Sequence, residues 1–312
     1  IREFAAFVEG TEYICGHNIL HHDLKYLQNA LGYELPAIKI DTLYLSPLLF
    51  PKRPYHALLK DDKLQSDQLN DPVNDCKKAA TLFYDEVNAF FELPSKVKQI
   101  FCCLLYDHPE FHGFFRYINF RPYHVNVPEL IRAEYEGQIC SNAELLPLIR
   151  HYPVELAYAL ALVGAKDEHS ITPPWLMRNY PKIGNVIKYL RGTPCADGCA
   201  YCREVLNIHR ELKRIFGYDS FRTYNGEPLQ EKAAQAAVDG KSVLAVFPTG
   251  GGKSITFQLP ALMAGRAVHG LTVVISPLQS LMKDQVDNLN SIGITEAVTA
   301  NGLLDPIERA NA

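Results

Sequence analysis

The spacing of hydrophobic residues divides the chain into three stretches with different predicted secondary structure. Residues 1–90 alternate helix-like segments with a short strand, and residues 91–194 have mainly helical spacing interrupted by Tyr- and Pro-rich turns. From residue 195 onward, a cysteine cluster is followed by short apolar runs that alternate with amphipathic segments. Alternating strands and helices predict a parallel α/β sheet in this last part.

Two apolar runs in the last part are predicted to be strands buried in that sheet. They are residues 242–246 and 271–275, and a helix is predicted after each of them. The second helix has apolar residues at helical spacing, which predicts a face packed in the core; these residues are Leu278, Leu281, Met282, Val286, Leu289 and Ile292. Gly293 is expected to end that helix.

Composition indicates an ordinary globular protein. The 312 residues are 47% hydrophobic and 21% charged, with a net charge of −4, which neither indicates nor excludes nucleic-acid binding. The longest apolar run, residues 156–165, is shorter than the roughly 20 residues that span a bilayer, and no signal-peptide pattern opens the chain. We therefore expect a cytoplasmic protein whose cysteines are thiols or metal ligands.

A glycine-rich loop between the first of these runs and its helix is the strongest chemical signal. Strand, glycine loop, Lys-Ser and helix form the context of a phosphate-binding loop, in which backbone N–H groups surround phosphate oxygens. A glycine turn with a surface lysine is the alternative. The candidate ATP-binding residues of the loop are Thr249, Gly250, Gly251, Gly252, Lys253 and Ser254.

This part of the chain resembles the RecQ family of DNA helicases. Residues 248–262 resemble motif I of that family, residues 274–286 resemble motif Ia, and residues 216–222 with Gln230 resemble its adenine-reading motif. The resemblance covers about residues 210–312. It implies the N-terminal part of a RecA-like P-loop domain in an ATP-dependent DNA helicase that acts in DNA repair or recombination.

The resemblance implies a role for individual residues. Lys253 is expected to be the catalytic lysine that neutralises the β and γ phosphates of ATP, and Ser254 to bind Mg²⁺. Gln230 is expected to read the adenine edge, with Tyr218 stacked on the base. Single-stranded DNA is expected to contact Ser276, Pro277, Leu278 and Gln279. The motifs required for hydrolysis and for the second motor lobe are missing, so we interpret the chain as a fragment that does not unwind DNA alone.

A cysteine cluster precedes this region. Cys195, Cys199 and Cys202 form a C-x3-C-x2-C pattern, which brings three soft ligands close together, and His209 is the candidate fourth ligand, with Cys140 as another. A structural Zn²⁺, an iron–sulfur cluster and inert thiols in a turn all remain open.

The beginning of the chain resembles the DEDD family of 3′–5′ exonucleases. Residues 16–27 resemble the second exonuclease motif and residues 71–79 the third, and the resemblance covers about residues 1–90. It implies the C-terminal part of a ribonuclease H-like domain, with Asp23 and Asp75 as catalytic ligands of Mg²⁺ or Mn²⁺. Solvated helix residues are the alternative for both aspartates.

The general base of these nucleases is missing from its usual positions. Asn70 stands where one branch of the family has histidine, and Asp71 where the other branch has tyrosine. An asparagine amide does not take a proton at neutral pH, and His56 is the nearest substitute. We therefore expect weak, Mn²⁺-preferring nuclease activity or none.

These motifs predict four regions. They are an exonuclease-like domain (1–90), a helical connecting region (91–194), a cysteine cluster with a possible metal site (195–209) and a RecQ-like ATP-binding domain (210–312). The function predicted is an ATP-dependent DNA helicase with an attached exonuclease-like domain. A DNA-binding scaffold with degenerate nuclease and ATPase sites is the alternative.

Overall fold

The computed structural model describes residues 2–56, 72–166, 170–248 and 250–301. Contacts divide the chain into two compact units, residues 1–203 and 204–312, and the four predicted regions stay a prediction. Among the described residues, no helix combines the length and the apolar character needed to cross a bilayer. The cytoplasmic location stays a prediction.

The first unit is mainly helical. Its helices are α1 (Arg2–Val8), α2 (Asp23–Leu31), α3 (Thr42–Leu49), α4 (Pro72–Glu92), α5 (Ser95–Leu105), α6 (Pro109–Tyr117), α7 (Val127–Glu134), α8 (Leu145–His151), α9 (Pro153–Gly164), α10 (Pro174–Asn179) and α11 (Ile183–Ile187). A π-helical turn, Lys188–Gly192, continues α11, and α12 (Ala200–Val205) lies at the boundary of the two units. Strands β1 (Tyr13–Gly16) and β2 (Ile38–Asp41) pair in parallel.

Helix α9 forms the centre of the first unit. Pro153 begins it at a position where the missing N–H costs nothing, and every residue from Val154 to Val163 except Glu155 is buried. A helix that is apolar on all sides needs neighbours on all sides, and α9 packs against α3, α5 and α11. The Tyr158 hydroxyl donates to the Tyr44 carbonyl at 2.8 Å, so the polar end of this buried ring is satisfied.

The described helices of the second unit are α13 (Ile208–Phe216), α14 (Leu229–Val238), α15 (Ile255–Val268) and α16 (Gln279–Ser291). Helices α15 and α16 follow the two predicted strands, as the sequence pattern predicts. The small core joins α13, α14 and α15; its buried members are Ile208, Leu212, Phe221, Ala234, Leu259 and Met263.

The two strands predicted for this unit do not form. Residues 242–246 and 271–275 have no regular secondary structure, and Leu244 and Ile275 are 92% and 91% exposed. A strand needs a neighbouring strand to which it can hydrogen-bond. Within the described part of this unit, the only strand-like pairing is one isolated antiparallel bridge between Tyr224 and Glu227. The described residues of this unit therefore lack the two strands that the sequence predicts.

The predicted core face of α16 is also wrong for most of its residues. Of the apolar residues on that face only Leu289 is buried, and Leu278 is 60% exposed. The physical reason is the same, because the face would pack on a sheet that the described residues do not form. The end of the helix is where the sequence predicts it, since Gly293 follows α16 with φ at +85°.

Candidate functional site

The glycine loop before α15 has a backbone that only glycine adopts readily. Gly250 and Gly252 have φ at +74° and +69°, in the left-handed region. A Cβ on Gly251 would lie 2.8 Å from the Pro248 carbonyl oxygen. The loop therefore requires glycine at all three positions, while Thr249 lies outside the described residues.

Side chains from the preceding segment orient this loop. They donate hydrogen bonds to its carbonyl oxygens: Arg222 to Gly250 (3.1 Å), Tyr224 to Gly251, and Gln230 to Gly252 (2.8 Å). In a planar trans peptide, the next N–H points opposite to the carbonyl. The N–H groups of Gly252 and Lys253 are therefore directed away from these three side chains. On that side they can donate hydrogen bonds to phosphate oxygens.

The two polar residues that close the loop are tied to the protein. The Lys253 ammonium donates to the Phe247 carbonyl at 3.3 Å. Ser254 stands directly before α15, and its hydroxyl accepts from Gln285 Nε2 at 3.2 Å. Gln258 Nε2 donates to Gln285 Oε1 at 2.7 Å. A chain of hydrogen bonds thus joins the candidate Mg²⁺ ligand to α16.

The residues expected to bind adenine lie in two different environments. Gln230 is buried, and its Oε1 accepts from the Arg222 backbone at 2.8 Å while its Nε2 bonds to the loop. Both polar ends of this amide are thus engaged by the chain itself. Tyr218 is 55% exposed and lies parallel to Phe216, with the ring centroids 6.4 Å apart. Adenine binding by either residue stays a prediction.

The residues expected to contact DNA lie at the start of α16. Ser276 is half-buried, whereas Pro277, Leu278 and Gln279 are exposed. The Ser276 hydroxyl and the Leu278 backbone N–H are 3.4 Å apart, which fixes the turn that leads into the helix. These side chains are accessible to a ligand, and the DNA contact stays a prediction.

The structure gathers four cysteines of the first unit. The sulfurs of Cys140, Cys195, Cys199 and Cys202 all lie within 4.8 Å of one another. Cys140 and Cys202 are buried and the other two are half-buried. Burial acts to raise the pKa of the Cys199 thiol, but hydrogen bonds from Cys202 and Ser141 outweigh it and lower that pKa to about 6. This group can supply four thiolates to one metal ion.

The candidate histidine ligand is not in that group. His209 belongs to the second unit, where its Nε2 lies 3.0 Å from Glu231 Oε1 and its ring packs edge-on against Phe221. Cys140, 55 residues before Cys195 in the chain, occupies the place that the sequence pattern gave first to His209. The sequence offered Cys140 as a second candidate, and the structure places it beside the other three cysteines.

The two aspartates that the sequence predicts as nuclease metal ligands do not belong to a cluster of metal-type side chains in the described residues. Asp23 is exposed in the first turn of α2, 3.4 Å from His22 Nδ1, and Asp75 is half-buried in the first turn of α4. Across the described residues, the four cysteines are the one group of three or more metal-type side chains. Asn70 and Asp71 lie outside the described residues.

The nearest substitute for the missing base is poorly suited to that task. His56 is buried, and its Nδ1 lies 2.9 Å from the Ser46 hydroxyl. Burial and the charge of Arg53 lower the pKa of His56 to about 4. A histidine with such a pKa is neutral at pH 7 but is a weak base.

Sequence reasoning missed a buried aspartate beside the second exonuclease-like motif. Asp41 ends β2 and accepts hydrogen bonds from the backbone N–H groups of Asn18 (2.8 Å), Leu20 (3.1 Å) and Leu43 (3.0 Å). Burial raises the pKa of Asp41 against the lowering effect of these bonds. Asp41 thereby caps α3 and fixes the loop that precedes Asp23; an Asp-Thr pair after a short strand is the sequence signal of such a cap.

Comparison with known proteins identifies relatives of the second unit. Residues 227–309 match the sequence profile of the DEAD/DEAH box helicase family. The chain is 44% identical over 103 residues to the ATP-dependent DNA helicase Q5 of Rattus norvegicus, which is 33% of this chain and 10% of that protein. It is 52% identical over 83 residues to the ATP-dependent DNA helicase RecQ of Haemophilus influenzae (27% and 12%) and 43% over 100 residues to that of Synechocystis (32% and 19%).

These matches establish homology to RecQ-family DNA helicases over about a third of the chain. The chain spans between 10% and 19% of the lengths of these three relatives. No solved structure matches the structure of this chain.

Proposed function

We propose that the protein is an ATP-dependent DNA helicase of the RecQ type and that residues 210–312 belong to its motor. The observation that carries this proposal is the hydrogen bond between Ser254 and Gln285. It joins the phosphate-binding loop to the helix that follows the DNA-contact motif, and both segments lie in the region homologous to RecQ helicases. A P-loop ATPase of another class does not require the DNA-contact motif that precedes α16.

ATP and Mg²⁺ are the proposed cofactors. The N–H groups of Gly252 and Lys253 would bind phosphate oxygens, the Lys253 ammonium would leave the Phe247 carbonyl to face the phosphates, and the Ser254 hydroxyl would hold Mg²⁺. When bound, Mg²⁺ neutralises charge that develops on the phosphate oxygens. Gln230 would exchange its bonds within the chain for bonds to adenine.

DNA is the proposed partner of the segment Ser276–Gln279. These residues are accessible, and α16 begins at Gln279. Movement of this helix would reach the Mg²⁺ ligand through Gln285, which gives a direct route by which bound DNA changes ATP hydrolysis. Action in DNA repair or recombination follows from the RecQ resemblance and belongs to the proposal.

The test of the helicase proposal is Lys253→Ala in the longest natural form of the protein. We expect the DNA-stimulated ATPase rate to fall by at least about 30-fold, since roughly 2–3 kcal/mol of charge stabilisation is lost. Lys213→Ala is the matched control, because this lysine is exposed and pairs with exposed Asp219. Near wild-type hydrolysis by Lys253→Ala contradicts the proposal, and DNA binding by a wild-type protein without ATPase activity favours the scaffold.

We also propose that residues 1–90 are an exonuclease-like domain with weak activity or none. The support is the second-motif resemblance around Asp23, the parallel pairing of β1 and β2 beside it, and Asp75 in the first turn of α4. The low pKa of His56 makes the nearest substitute for the base a weak one.

The nuclease proposal is tested with end-labelled single-stranded DNA and the Lys253→Ala protein. We expect slow degradation with Mn²⁺, less with Mg²⁺, and loss of that activity in Asp23→Asn and Asp75→Asn. Rapid Mg²⁺-dependent degradation that survives His56→Ala contradicts the expectation of a missing base.

A further inference from the structure

We infer that Cys140, Cys195, Cys199 and Cys202 bind one structural Zn²⁺ ion. The Cys199 and Cys140 sulfurs are 3.8 Å apart, and no two of the four ligand atoms are more than 4.8 Å apart. Four sulfurs at about 2.3 Å from a central zinc form a tetrahedron with edges of about 3.8 Å. The spacing of the cysteine side chains therefore fits a single tetrahedral ion.

The same spacing argues against the two other uses of cysteines. In a [4Fe–4S] cluster each thiolate binds a different iron, which places the sulfurs farther apart than the ligands of one ion. In a disulfide the sulfurs are about 2.05 Å apart, and Cys140 and Cys199 are both free thiols at 3.8 Å. A tetrahedral set of four sulfurs favours zinc among the common divalent ions.

The loop between Cys195 and Cys199 already has the conformation of a ligand loop. Gly198 has φ at +59°, and its N–H donates to the Cys195 carbonyl at 3.1 Å, which forms a tight turn. The Cys199 N–H donates to the Cys195 sulfur at 3.2 Å. Donors of this kind stabilise thiolate ligands and fix their direction.

Cys140 is held independently on the other side of the group. Its N–H donates to the Leu190 carbonyl at 2.8 Å, and Arg132 donates to the carbonyls of Ser141 and Ala143, the second bond being 2.8 Å long. Asn142 connects the two sides, because its Nδ2 lies 3.5 Å from the Cys195 sulfur and 3.2 Å from Asp197. The ligand positions are thus set by ordinary protein contacts.

The proposed role is structural and does not depend on the helicase proposal. Four protein ligands complete the tetrahedron and leave no position for water or substrate. The ion would connect the segment after α7, which holds Cys140, to the segment that runs from the π-helical turn into the first turn of α12, which holds the other three cysteines. Binding energy of this kind is folding energy of the unit that holds the ion.

The first experiment measures metal in the purified wild-type chain. We expect about one zinc per chain, and after exchange to Co²⁺ we expect the intense visible bands of tetrahedral cobalt with sulfur-to-metal charge transfer. These measurements need no variant, so misfolding does not affect them. Iron with inorganic sulfide, a disulfide at these cysteines, or protein free of metal after preparation without chelator and without air would each overturn the proposal.

The second experiment identifies the fourth ligand. Cys140→Ser is expected to lose most of the zinc, whereas His209→Ala and the matched control Cys103→Ser, which changes a half-buried cysteine outside the group, are expected to keep it. Loss of zinc in His209→Ala with retention in Cys140→Ser would overturn the assignment of Cys140. If Cys140→Ser does not fold, the cobalt spectrum of the wild-type chain still decides between four sulfurs and three sulfurs with one nitrogen.

Discussion

The two units of the chain differ in how sequence signal and packing are related. The second unit carries the most specific motifs, yet its apolar segments 242–246 and 271–275 are exposed. The first unit carries weaker motifs, yet it surrounds α9 with buried aromatic and aliphatic side chains on every side. A phosphate loop is specified within a few consecutive residues, whereas a core depends on residues far apart in the chain.

The largest expected contrast between the units is in amide hydrogen exchange. Amides of α9 should exchange at least about a thousandfold more slowly than those of residues 271–275, because α9 opens only with unfolding of its core. Exchange followed by mass spectrometry on the intact chain measures both segments together. Equal protection of the two segments would remove the difference on which the comparison depends.

The buried ion pairs of Glu211 test whether helices α13 and α15 of the second unit form a stable core. Glu211 is buried, and its carboxylate accepts from Arg266 at 2.6 Å and from Arg214 at 2.7 Å. Glu211→Ala leaves the mostly buried Arg266 charge without this partner and should lower the opening free energy of α13 and α15 by about 3–5 kcal/mol.

Native-state hydrogen exchange of those two helices measures the effect. The matched control is Glu231→Ala, since this carboxylate is 39% exposed and should contribute less than about 1 kcal/mol. Equal effects of the two substitutions would show that burial does not set the strength of these pairs.

A third prediction concerns a buried carboxyl group in the first unit. Glu86 is fully buried on α4, and among the described residues neither of its carboxylate oxygens has a hydrogen-bond partner. Burial, with the nearby charges of Asp41 and Asp85 and despite Arg53, holds the pKa of Glu86 well above its ordinary value. The raised pKa means that the folded protein keeps the proton to higher pH than the unfolded chain does.

The first unit should therefore be most stable below about pH 4.5 with respect to this group and lose stability as the pH rises toward the raised pKa of Glu86. Between pH 5 and pH 8, the free energy of unfolding of Glu86→Gln should fall by about 1 kcal/mol or more less than that of the wild type. Urea unfolding followed by fluorescence of Trp175 measures it, with exposed Glu92→Gln on the same helix as control. An unchanged pH dependence in Glu86→Gln would assign the loss to another group.

The smallest expected effect concerns the hydrogen bonds between the candidate phosphate loop and α16. Gln285→Ala removes the hydrogen bonds to Ser254 and Gln258, and should reduce the stimulation of ATPase activity by DNA about two- to tenfold in the longest natural form of the protein. Basal hydrolysis should change less, and exposed Asn288→Ala on the same helix is the control. An equal loss of basal and stimulated rates would indicate a general structural role for Gln285.

Much of the second unit could be read from local sequence. The glycine loop, the start of α15 at Ile255 and the end of α16 before Gly293 depend on residues within one turn of each position. The predicted strands failed because a strand forms only when another segment pairs with it, and no apolar run contains that information. The predicted core face of α16 is exposed for the same reason, because its apolar pattern does not show which segment will pack against it.

The sequence by itself determined the chemical types of the candidate sites: a phosphate loop, a cluster of thiols and two aspartates in nuclease-like motifs. The tertiary structure decided which residues meet. In the fold, Cys140 lies beside the other three cysteines, and His209 pairs with Glu231. Gln285 hydrogen-bonds to Ser254, and Asp41 and Glu86 are buried. The physical reason is that residue type and short spacing fix what a side chain can bind, whereas its actual neighbours depend on how distant segments pack.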